Sequence, residues 1–180
     1  MTEQNLHELR LELDRLARGD EALESLRAQV TAIAQLKEIY PHSISLVAIG
    51  APRMATNCFM QALGLAPGDI REWTRGRIFP GSDFMAAIVR YLPELDLITL
   101  PDGALVLYFD GDGRPVHAGV AEAGLVLSKW GGTIPHTFLH GAYEVPARYG
   151  SDVRAYVRPA PENALNAYRQ WAEMHGVSPN

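Results

Sequence analysis

The sequence predicts an α+β fold, and three observations carry that prediction. Apolar residues recur at helical spacing before Pro93. After Pro93 they gather in short strand-like runs separated by glycine turns. Helical spacing returns behind Pro161-Glu162 and ends at Gly176. Helices first, then an antiparallel sheet, then a helix is an α+β order.

The composition suits such a domain. The chain has 180 residues, 47% hydrophobic and 21% charged, values ordinary for a globular protein with a sizeable core. A net charge of −5 disfavours nucleic acid and anionic membranes as partners. One cysteine excludes an intrachain disulfide and fits a reducing compartment. The opening MTEQNLHELRLELDR is charged and amphipathic, without the apolar core of a secretory signal. No run approaches the roughly 18 apolar residues of a membrane span, so the expected location is the cytoplasm.

Leu6, Leu9, Leu13 and Leu16 form one helical stripe within residues 3–18. Gly19-Asp20 reads as a stop and a new N-cap, and Leu23, Leu26, Val30, Ile33 and Leu36 form a second stripe. The phase breaks at Gly19, so the two helices are expected to fold as a hairpin, residues 1–41, on a domain of residues 42–180. Each stripe covers only about two heptads, short of a coiled coil. The hairpin is expected to pack on its own domain, with a homodimer contact as the alternative.

Pro41 ends the second helix. ISLVAI (44–49) suits a buried strand or a helix start, and Gly50-Ala51-Pro52 is a break. Residues 57–64 look helical, and LAPGD caps a short helix, IREWTRG. Ser82 or Asp83 is expected to cap a helix over 83–92, ended by Pro93. ELDLITL and ALVLYFD read as strands around the turn Pro101-Asp102-Gly103. GDGRP is a turn, and VHAGVA with LVLSKWG makes a hairpin. GGTIPH is a loop, HTFLHGAYEVP is ambiguous, and DVRAYVRP suits a last strand. The final helix is expected to be capped near Pro161 or Glu162.

Chemistry is suggested by Cys58, at the predicted start of a helix, where the N-terminal dipole favours a thiolate. A nucleophilic thiol also needs a base and a group that orients the base. His117 offers the base from a strand-like run, with the small Ala118 and Gly119 leaving room for a neighbour. The orienter follows from register. A loop at Glu122-Ala123 puts Ser128 opposite His117, and a loop at Ala123-Gly124 puts Trp130 opposite with Ser128 diagonal. Both registers leave Ser128 on the face of His117. His136, in the next loop, is the rival orienter.

The order "NCFMQALGL", "VLYFDGDGRPVHAGV", "VLSKWGG", "YEVPARYG" resembles the NlpC-type branch of the papain-like cysteine hydrolases, over roughly residues 45–158. The resemblance implies a papain-like α+β domain with helices packed on an antiparallel sheet, to which this chain adds its N-terminal hairpin. It implies Cys58 as nucleophile, His117 as its ion-pair partner, and Ser128 in place of the family's usual His, Asn or Gln. The family's Asp-Cys-Ser-Gly opening is Asn57-Cys58-Phe59-Met60 here, so the cell-wall substrate is not carried over. The expected reaction is acyl transfer from an amide, thioester or ester, on a small-molecule or peptide substrate. The Cys58 N–H and Asn57 are the candidate oxyanion donors. No cofactor and no metal is implied.

Two other readings compete. One is a catalytically inactive papain-like module that binds protein. The other is a helix-turn-helix over residues 61–92, with Arg71, Trp73, Arg75 and Arg77 on a recognition helix. Its cost is a negative chain and a half-length sheet left unexplained. Metal motifs are weak: His136 and His140 lack a zincin glutamate, and the Asp110-Gly-Asp112 start of a calcium loop fails at Arg114 and Ala121.

Overall fold

The computed structural model describes residues 1–17, 23–48, 56–74, 79–130 and 136–177. In chain order the elements are α1 (Glu3–Ala17), α2 (Leu23–Leu36), β1 (Ser45–Ala48), α3 (Cys58–Leu63), α4 (Pro67–Thr74) and α5 (Ser82–Val89). They continue with β2 (Glu94–Leu95), β3 (Leu105–Phe109), β4 (Pro115–Glu122), β5 (Leu125–Lys129) and β6 (Thr137–His140). A 3₁₀ turn at Ala147–Tyr149, β7 (Asp152–Tyr156) and α6 (Pro161–Met174) complete them. The class is α+β.

Among the described residues the strands form one antiparallel sheet of seven, ordered β1-β6-β5-β4-β3-β7-β2. Every residue of β3 is buried, as a strand covered on both faces must be. Its alternation sorts the core into two layers. Leu105, Leu107 and Phe109 join Ala118 and the helices α3, α5 and α6, through Met60, Leu63, Phe84, Met85, Tyr168 and Ala172. Phe84 meets Tyr168 edge to face, with ring centroids 5.3 Å apart.

Val106 and Tyr108 point the other way, to Val126, Trp130, Phe138 and Tyr149, under Leu9, Leu13 and Ile33 of α1 and α2. The helical hairpin thus shares a core with the sheet. Polar contacts add to it: Arg10 Nε donates to Val145 O at 3.2 Å, and Arg148 pairs with Asp14 at 3.2 Å.

Local chemistry sets the element ends. Asn57 caps α3, its side chain accepting from Met60 N at 2.9 Å, and Gly64 closes the helix at φ 69°. The β4–β5 loop is Ala123-Gly124, both at positive φ (51° and 75°), as a two-residue hairpin turn of right-handed twist demands.

Some expectations are corrected. α5 starts at Ser82 with Gly81 as N-cap and ends at Val89, because Tyr91 and Leu92 turn back onto Ile88 O and Val89 O. ELDLITL keeps only Glu94–Leu95 as strand, since the Asp96 carboxylate accepts from Ile98 N at 2.9 Å and bends the chain. α6 is capped at Ala160, with Pro161 as its first residue. The expected Gly19-Asp20 turn, the Gly50–Pro52 break and most of the 131–136 loop lie outside the described residues. No helix among the described residues is long and apolar enough to cross a membrane.

Candidate active site

The Asn57 cap makes Cys58 the first residue of α3. The helix presses Phe59, Met60, Ala62 and Leu63 into the core, and Cys58 stays half-buried at its end. The thiol lies beside the peptide N–H of Ala118, the amide that follows His117. Burial pushes the thiol up to about 11; the neighbouring N–H groups and the Lys129 ammonium act against that rise without cancelling it. The resting group is therefore a thiol, not the thiolate expected from its helix position.

Lys129 brings a buried cation to this layer. It is 3% exposed, and its ammonium donates to Thr56 O and, at 3.3 Å, to Thr56 Oγ1. Desolvation lowers its pKa.

His117 projects into the other layer. It pairs across the ladder with Tyr108, and its ring stacks on Tyr149 with centroids 3.8 Å apart and planes 6° from parallel. It is fully buried, and Nε2 lies 3.1 Å from Ser128 Oγ. Nδ1 has no hydrogen-bond partner among the described residues. Burial first, then the His140 and Arg148 charges, hold the imidazole well below its usual pKa, so it is neutral at pH 7.

The register that joins His117 to Ser128 is the one with Ala123-Gly124 as loop. Gly119 makes the approach possible. A Cβ there would lie 2.5 Å from Val126 Cγ1 and 2.9 Å from Leu127 O. Ser128 is itself fully buried, and its Oγ also meets His140 Nε2 at 2.7 Å and Trp130 Nε1 at 3.1 Å. His140 Nδ1 faces Gly141 O at 2.8 Å. Burial pushes His140 down to about 4, against the bond to Gly141 and the Glu144 charge.

Of the four residues expected from sequence, His117 and Ser128 are thus hydrogen-bonded. Cys58 sits on the α3 side of β4 and His117 on the hairpin side, and no hydrogen bond joins them among the described residues. His136 is buried edge-on to Phe138, at 6.1 Å between ring centroids. The second imidazole on Ser128 is His140, a residue the site prediction missed. Reading HTFLH as a strand would have found it, because Phe138 and His140 pair directly with Ser128 and Val126 and so share their face.

The chain matches no family model, no curated protein and no solved structure.

Within residues 61–92, the stretch of the helix-turn-helix reading, Leu63, Ile70, Phe84 and Met85 share the core of β3 and α6. Arg75 and Arg77, and the side chains of Arg71 and Trp73, lie outside the described residues.

Proposed function

We propose that this chain is a cysteine hydrolase or acyltransferase of papain-like, NlpC-type architecture, acting on an amide, thioester or ester of a small molecule or peptide. The observation that carries the reading is the unused Nδ1 of His117. A buried nitrogen with no partner among the described residues is costly, and a proton-accepting role accounts for it. Here its other nitrogen is held by Ser128, and the amide that follows it lies beside the Cys58 thiol.

Cys58 and His117 lie on opposite faces of β4, so the reaction requires β4 to shift until Nδ1 reaches Sγ; the Nδ1 lone pair then accepts the thiol proton as Sγ bonds to the acyl carbon. The same proton passes to the leaving group when the acyl–heteroatom bond breaks. Water then adds to the thioester, giving its proton to Nδ1, and Sγ departs as thiol. Burial of both partners favours a neutral resting pair, so His117 acts as a general base rather than as a preformed imidazolium. A lone thiol suits a reducing, cytoplasmic setting.

One observation favours a second reading. A thiol raised to about 11 by its surroundings is what an inactive binding module would hold. Alkylation of Cys58 by iodoacetamide separates the two. For the hydrolase, His117→Ala lowers the rate at pH 7 by at least about tenfold, as loss of a general base does, and leaves the rate above pH 11 unchanged. Equal rates at pH 7, or reaction only after denaturation, would leave the binding module.

A further inference from the structure

We propose that His140 is a positioning residue that fixes the tautomer of His117 through Ser128; this rests on the reading of His117 as the base. The argument follows protons along one chain of hydrogen bonds. Gly141 O can only accept, so His140 Nδ1 carries the hydrogen of their 2.8 Å contact. A neutral His140 then has a bare Nε2. The 2.7 Å contact to Ser128 must be filled by the serine hydroxyl, which donates its only proton there.

Ser128 Oγ is left with two lone pairs. Trp130 Nε1–H, which can only donate, takes one at 3.1 Å. His117 Nε2 takes the other at 3.1 Å, and to do so it must carry its hydrogen. A neutral His117 protonated at Nε2 is bare at Nδ1, the atom that a general base needs free. All three hydrogen-bonding positions of the serine are used, so the assignment has no slack. His117, Ser128 and His140 are each fully buried, and Trp130 is 1% exposed, so the chain is shielded from bulk solvent.

The consequence is that Ser128 is not the end of the orienting chain. A serine alone can rotate its proton toward either imidazole, and would accept either tautomer of His117. The bond from His140 to the Gly141 carbonyl removes that freedom. A second acceptor on a partner strand thereby specifies which nitrogen of the first histidine is basic.

The test is the tautomer itself, read by long-range ¹H–¹⁵N correlation at pH 7. In the native chain His117 should be protonated at Nε2. In His140→Phe, and in the smaller Ser128→Ala, the Nδ1–H form should appear, and iodoacetamide alkylation at pH 7 should fall by at least about tenfold with the loss of an aligned base. His140→Gln, whose carbonyl still accepts from Ser128 and whose amide still donates to Gly141, should keep the native tautomer. A native His117 protonated at Nδ1, or a Ser128→Ala variant with an unchanged tautomer, would overturn the proposal. A tautomer shift with Cys58 inert throughout would uphold the relay and remove the hydrolase reading instead.

Discussion

At the scale of single residues, the site depends on atoms that are missing as much as on those present. Gly119 has no Cβ, and β4 and β5 close over that gap until Ser128 reaches His117. Gly119→Ala forces a methyl to within 2.5 Å of Val126 and 2.9 Å of a backbone oxygen. The expected cost is about 1–3 kcal/mol, read as a lower urea midpoint with unchanged slope. Gly150 is less replaceable. Its φ of 77° disfavours any side chain, and a Cβ would sit 1.9 Å from Phe109 O. Cys58 shows the opposing pull of local and tertiary effects. Its helix position favours the anion, but α3 is only six residues long, and burial outweighs what one short dipole supplies.

At the scale of elements, α3 and α1 hold the two sides of the site. α3 is too short to persist without its caps. Asn57→Ala removes the acceptor for Met60 N and should cost about 1 kcal/mol. Because the lost cap frays the first turn, the same variant should loosen the placement of Cys58 and raise its alkylation rate at alkaline pH. α1 closes the opposite layer. Leu13 is fully buried against the sheet, and Leu13→Ala should cost about 2–5 kcal/mol in the urea midpoint. A hairpin that merely decorated the domain would tolerate that change within about 0.5 kcal/mol.

At the scale of the whole molecule, the buried histidines link stability to acid. His140 titrates at about 4 when folded, and His117 well below its usual value, against about 6.5 in an unfolded chain. Between pH 6.5 and 4 the unfolded state therefore binds protons that the folded state refuses. Stability is fully present above pH 6.5 and is lost as pH falls, with a slope of up to about 1.4 kcal/mol per pH unit for each group. The urea midpoint at pH 5 should lie below that at pH 7. His140→Gln removes one of the two groups and should make that difference smaller.

Local pattern in the sequence determined much of this. The leucine stripes placed α1 and α2, residues 57–64 read as the helix that became α3, and the two-residue period put Ser128 on the face of His117 in either register. Each of these depends on neighbours within a few residues or across one hairpin. The tertiary structure alone decided which layer covers each face of β4, and so which side chains meet there. It put the thiol on the α3 side and the imidazole under the hairpin, and it brought His140 to the serine across a third strand. Alternation says which residues share a face; only packing against distant helices says what lies over that face, and whether a charge there can survive its loss of water.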